Sequence, residues 1–149
     1  MRDLLGAQDF THFVTIAFNE KTTDASAARL LRRFHQRLDQ KLFGRKFYKR
    51  PPEARTFFIA LPEVASSLHF HALFRVPAEV HERFRAESPA ILKRVAKAAS
   101  YDIKPIPTDA DKQRIVSYVT KDAYEHRSIE NFIVSSQFNR SRATATSSR

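Results

Sequence analysis

The sequence predicts an α+β fold, a central antiparallel β-sheet with helices packed against it. Three observations carry this reading. Residues 12–18, 56–61 and 68–76 are short runs rich in β-branched and aromatic side chains, the composition of strands. Residues 25–42 and 110–124 place apolar side chains at spacings of three and four, the period of a helix with one buried face. The second and third strand-like runs are joined by residues 62–67, a connection too short for a parallel crossover, so they pair antiparallel as a hairpin.

Each element follows from local chemistry. The first strand, His-Phe-Val-Thr-Ile-Ala-Phe, ends at a polar connection, residues 19–23. Asp24 is expected to cap the next helix, its short carboxylate accepting from the free N–H groups of the first turn. Ala27, Leu30, Leu31, Phe34, Leu38 and Leu42 form the core-facing stripe of that helix. Arg29, Arg33, Arg37 and Lys41 follow one another at i+4, with Arg32 nearby, and give a positive ridge. That ridge is either a solvated face or a phosphate contact.

Gly44 is expected to stop the helix in a left-handed conformation. A basic loop follows: Arg45, Lys46, Phe47, Tyr48, Lys49, Arg50, then two prolines. Cations interleaved with rings suit a single nucleic-acid strand, charges for phosphates and rings for bases. An aromatic pair in a loop equally serves as an anchor into the core.

Residues 56–61 are almost wholly apolar and read as a central strand covered on both faces. Pro62 to Ser67 turns the chain. Pro89 splits the next helical region into 78–86 and 89–99, with Ser88 as cap of the second part. Residues 101–106 read as an extended edge segment because of Pro105. Asp109 or Thr108 caps the last helix, whose buried face is Ile115, Val116, Val119 and Ala123. Residues 130–138 include a short apolar run of undetermined form. Residues 1–138 are thus read as one domain and 139–149, rich in Arg, Ser, Thr and Ala, as a disordered basic tail.

Composition narrows the function classes. With no cysteine, a disulfide framework, a zinc finger and a thiol nucleophile are all excluded. Met1 to Asp9 carry both charges and no long apolar run, so neither a secretory leader nor a membrane span is expected, and the expected location is the cytoplasm. Against 16 acidic residues stand 26 Lys and Arg, a net charge of +10. That excess favours a polyanionic partner, most often nucleic acid; an anionic membrane surface and a ribosome compete, and charge alone does not choose among them.

The chemistry-bearing stretch is Ser67-Leu68-His69-Phe70-His71-Ala72-Leu73-Phe74. In a strand, i and i+2 share a face, so His69 and His71 project together and Leu68, Phe70, Ala72 and Phe74 project to the core. Paired neutral imidazoles on a rigid strand are a start for a divalent-metal site. The bland reading is two partly exposed histidines. The second constellation is on the last helix. Tyr118, Lys121, Asp122 and Glu125 fall at i, i+3, i+4 and i+7 and share one face.

Together and in this order, the two constellations resemble the HUH endonuclease superfamily, in particular single-tyrosine rolling-circle replication initiators and related transposases. The resemblance rests on three stretches: the strand Phe13 to Asn19, His-hydrophobic-His at Leu68 to Phe74, and Tyr-x-x-Lys-Asp at Tyr118 to Asp122. It implies a five-stranded antiparallel sheet of the RRM-like palm type, with the histidines on a central strand and the tyrosine helix alongside.

The activity implied is metal-dependent cutting of single-stranded DNA by transesterification. Tyr118 would be the nucleophile, leaving a 5′-phosphotyrosine link and a free 3′-hydroxyl. A phenol of ordinary pKa near 10 needs activation at neutral pH, and Lys121 would favour the phenolate or hold a phosphate. His69 and His71 would hold Mg²⁺ or Mn²⁺ with a third ligand. Glu63 is the first choice, because the hairpin can bring it beside the pair, and Asp122 is the second. The partner implied is single-stranded DNA or a DNA hairpin at an origin, contacted by Arg29, Arg33, Arg37, Lys41, Arg45, Lys46, Tyr48, Lys49 and Arg50. Tyr124 lies off the face of Tyr118, and His12, His35, His81 and His126 lack paired spacing. The competing class is a non-catalytic single-strand-binding module of RRM-like fold. An iron oxygenase with two histidines and one carboxylate is disfavoured by the basic charge.

Overall fold

The computed structural model describes residues 5–19, 21–64, 68–125 and 132–136, with the backbone alone for 64 and 122–125. Five strands form one antiparallel sheet: β1 (His12–Phe18), β2 (Phe57–Val64), β3 (Leu68–Arg75), β4 (Ala99–Pro105) and β5 (Ile133–Val134). Three helices pack on it: α1 (Asp24–Phe43), α2 (His81–Val95) and α3 (Asp109–Glu125). The spatial order is β4-β1-β3-β2-β5. From β1 to β4 the elements therefore run β-α-β-β-α-β with β3 inserted between β1 and β2, a split βαβ arrangement. The predicted α+β class with about five antiparallel strands holds.

The two faces of the sheet have different covers. Val14, Ile16, Phe58, Ala60, Phe70, Ala72 and Phe74 point to one side and pack with Ala27, Leu31, Phe34 and Leu38 of α1 and Phe84 and Leu92 of α2. Ile59, Leu61 and Leu73 point to the other and pack with Val116 and Val119 of α3. The alternation of period two in β2 and β3 thus divides their side chains between two cores, which is why β2 is apolar from Phe57 to Pro62.

Several boundaries differ from expectation, each for a physical reason. The cap of α1 is Thr23, whose Oγ1 accepts from the Ser26 N–H at 3.1 Å. Asp24 instead occupies the first turn, where its charge meets the positive helix end. Gly44 does end α1 at positive φ (91°), but its ψ of 178° is extended and not left-handed helical; this region is open essentially to glycine alone. Thr108, not Asp109, caps α3, its hydroxyl accepting from the Asp111 N–H and donating to the Asp111 carboxylate.

Pro89 does not split α2. The helix runs through it after a short 3-10 turn at Ala78–Val80. Proline leaves the carbonyl four residues back unpaired, and here that residue, Arg85, is exposed, as is Pro89. Water can serve the lost bond while buried Phe84, Ser88, Leu92 and Val95 hold the helix to the sheet. Ser88 is not a cap; its Oγ accepts from the Tyr101 hydroxyl at 2.9 Å. Burial drives the Tyr101 phenol well above its ordinary pKa, against the smaller opposing effect of that bond. Tyr101 is therefore structural, and β4 is an edge strand.

Pro62 does not begin the turn either. β2 continues to Val64, and among the described residues β5 pairs only with Ile59 and Ala60, so no described strand needs an N–H at Pro62, and a proline is tolerated there. No described helix is long and apolar enough to cross a membrane. The expected tail, 139–149, lies outside the described residues, as do His126 and the side chain of Tyr124.

Candidate active site

The continuation of β2 is what builds the site. It puts Glu63 directly opposite His69, and Leu61 opposite His71. Strand partners share a face, so Glu63, His69 and His71 all project to the side covered by α3. On the other flank of β3, Ala17 faces His69 and Thr15 faces His71.

His71 is the most constrained of the group. Its Nε2 lies 2.5 Å from Glu63 Oε2 and its Nδ1 lies 3.4 Å from Thr15 Oγ1. When Nε2 carries the proton and donates to the carboxylate, Nδ1 accepts from the threonine hydroxyl. The ring stacks on Phe13 with centroids 5.6 Å apart and 17° between planes. On its remaining side the Tyr118 ring meets it edge-on, centroids 6.0 Å apart. Tyr118 itself is 58% exposed, so its ring touches the site while its surface stays open to a substrate. Lys121 is exposed one turn further along α3.

The donor chemistry of Glu63, His69 and His71 suits a hard or borderline divalent cation: two imidazoles and a carboxylate on adjacent strands. Among the described residues, however, no three His, Asp or Glu side chains converge closely enough to hold a metal as placed. Glu63 and His71 instead bond to one another. The alternative ligand Asp122 lies outside the described side chains.

The expected DNA-contacting residues are not brought to this site. Arg29, Arg33, Arg37 and Lys41 are exposed on α1, which packs on the opposite face of the sheet. An i+4 series also turns about 40° per step around a helix of 3.6 residues per turn, so the four cations wind about 120° and are not one straight ridge. The basic loop lies past the Phe57–Arg75 end of the hairpin, six residue pairs, roughly 20 Å, from Glu63 and His69. Within it Arg45, Lys46 and Lys49 are exposed, and Tyr48 is 45% exposed with its ring edge on buried Phe47. Arg50 is engaged internally: its guanidinium lies 4.4 Å from the Phe43 ring centroid, Nε donates to the Ala54 carbonyl and Nη2 is 3.8 Å from Glu79. So Phe47 is the anchor, Tyr48 is partly exposed, and Arg50 is a poor candidate for phosphate binding.

Beyond β1, on the same face as the histidines, lies β4. Ser100, Asp102 and Lys104 pair with Ala17, Thr15 and Phe13, share their face and are exposed. Together with Thr15 they make an open strip of sheet next to His69 and His71. Sequence reasoning missed Thr15 and Asp102. A threonine in a β-rich run carries no signal until the register shows which histidine it faces. Two other histidines are packing residues: His12 is buried against His81 and Phe84, and His35 lies in the core beside Asp39 and the Thr56 carbonyl. Compared with models of known families, with curated proteins and with solved structures, the chain matches none.

Proposed function

We propose that this protein is a metal-dependent single-stranded DNA endonuclease and strand transferase of the HUH type, acting in rolling-circle replication of a plasmid or another mobile element. One observation carries the reading: His71, on a central strand, touches both Glu63 and Tyr118, so the histidine pair, a carboxylate and the tyrosine form a single cluster from three separate elements.

In this reading Tyr118 Oη attacks the scissile phosphorus and the bond from phosphorus to the departing 3′ oxygen breaks. The phenolic proton leaves Oη, and a proton reaches the 3′ oxygen, giving a 3′-hydroxyl and a 5′-phosphotyrosine link. The new ester keeps the energy of the old one, so the strand can be rejoined. Lys121 offsets the negative charge that grows at Oη and on the phosphate. Mg²⁺ or Mn²⁺ held by Glu63, His69 and His71 would polarise the phosphate oxygens. The Glu63–His71 hydrogen bond is the contact such a cation would replace. Phe13 and Thr15 hold the His71 ring in place, and the strip on β4 and β1 offers the single strand a surface across the sheet.

The test is a denaturing gel of the protein with single-stranded oligonucleotides and Mn²⁺. A covalent protein–DNA adduct is expected, absent for Tyr118→Phe although that variant still binds the strand. Undiminished nicking by Tyr118→Phe removes the nucleophile assignment. The direct Glu63–His71 bond also suits a non-catalytic binding module. That reading prevails if no oligonucleotide yields an adduct while single strands still bind.

A further inference from the structure

The cations on the back of the sheet have a structural setting of their own. α1 and α2 pack side by side, and two hollows open along their seam. One, of about 300 Å³, is lined by Arg37, Gln40, Lys41, Ile91 and Arg94. The other, of about 430 Å³, runs from Arg94 and Lys97 past Leu30 to Thr22 and Asn19. Arg94 borders both, and the two hollows are taken together as the α1–α2 groove. Among the described residues no Asp or Glu lines it, and Arg37, Lys41 and Arg94 form no ion pair. Glu87, on the same helix, is held by Arg83, 3.5 Å away. A groove with three uncompensated guanidinium and ammonium groups over a rigid helix pair attracts a polyanion.

Its chemistry selects among polyanions. Single strands are held by exposed rings as well as charges, and among the described residues the only ring lining the groove is Phe18, which is 3% exposed in the core. An amphipathic helix holds a membrane by inserting its apolar face, and the apolar face of α1 is already buried on the sheet, which leaves a membrane only charge attraction to its headgroups. Cations on a rigid helix pair, with no exposed ring and no apolar face to insert, suit a rigid phosphate surface. We propose that the α1–α2 groove is a second DNA site that binds the phosphate backbone of duplex DNA through Arg37, Lys41 and Arg94, on the face of the sheet opposite Tyr118. The inference rests on the reading of DNA as the partner, but not on cleavage. A protein of this design would grip a double-stranded stem behind the sheet while a connected single strand crosses the tyrosine face.

The experiment measures binding of a short blunt-ended duplex over a salt series, with four proteins. The parent should bind. The triple variant Arg37→Ala, Lys41→Ala, Arg94→Ala should melt like the parent but bind tenfold or more weakly at about 0.1 M salt, and the slope of log K against log salt should drop by about 2 to 3. Arg37→Lys with Arg94→Lys should bind within about threefold of the parent, because a phosphate contact needs charge and not shape. Tyr118→Phe should bind duplex like the parent. The proposal is overturned if the triple variant binds duplex as the parent does. It is equally overturned if Tyr118→Phe weakens duplex binding as much as the triple variant, or if the triple variant loses adhesion to anionic phospholipid vesicles while keeping duplex. Absence of any covalent adduct would sink the endonuclease reading and leave this result standing.

Discussion

Protonating His12 is a perturbation whose cost the structure sets directly. The residue is 2% exposed at the start of β1. Its ring meets His81 and Phe84 edge-on, with centroids 4.9 Å and 5.0 Å away, and its Nδ1 is 2.8 Å from Thr11 Oγ1. Burial first, and then the charges of His81 and Arg85, lower its pKa from 6.5 to about 4. Between those values the unfolded chain binds a proton at His12 and the native chain does not. Stability from this residue is therefore full above about pH 6.5 and is lost as the pH falls through the window. At about 1.36 kcal/mol per pH unit, the whole window is worth about 3 kcal/mol, and the part crossed by about pH 4.5 is worth about 2.5 kcal/mol. Asp39 works in the other direction, since burial raises its pKa and its contribution declines as the pH rises. Comparing parent with variant cancels that term. The assay is urea unfolding of the parent and of His12→Asn, at about pH 7.5 and about pH 4.5. The parent should lose about 2 to 3 kcal/mol more than the variant on acidification. Losses that agree within about 0.5 kcal/mol would refute the burial argument for His12.

The remaining predictions concern the site. EDTA should abolish adduct formation and Mn²⁺ should restore it, and His69→Ala should lack adduct with or without added metal; adduct that survives both EDTA and the substitution takes the metal out of the mechanism. Thr15→Val, which removes the hydroxyl 3.4 Å from His71 Nδ1, should raise the Mn²⁺ concentration for half-maximal adduct by about threefold to tenfold, the worth of one neutral hydrogen bond. An unchanged Mn²⁺ titration for that variant would mean that Phe13 alone orients the ring.

Much of the molecule was legible because two periodicities are hard to mistake. Alternation placed His69 and His71 on one face and Phe70, Ala72 and Phe74 on the other, and spacings of three and four placed Leu31, Phe34 and Leu38 against the sheet. Errors gathered where a local rule met a tertiary context. Pro89 breaks a helix only if its lost hydrogen bond is buried, and exposure of Arg85 is invisible in the sequence. Pro62 ends a strand only if a neighbour needs an N–H at that position, and the two-residue length of β5 was not readable from residues 130–138. The basic ridge was seen as cations but not as belonging to the far face.

The sequence by itself determined the element types, the apolar and polar faces of each, the sign of the charge and the identities of the reactive side chains. These depend on chemistry within one or two turns of chain. Only the tertiary structure decided that Glu63 stands opposite His69, that Thr15 and Tyr118 both meet His71, and that Arg37 and Lys41 lie behind the sheet with Arg94. Strand register and choice of sheet face bring together residues dozens of positions apart. They are fixed by how the two cores pack, and not by any property of the segments alone.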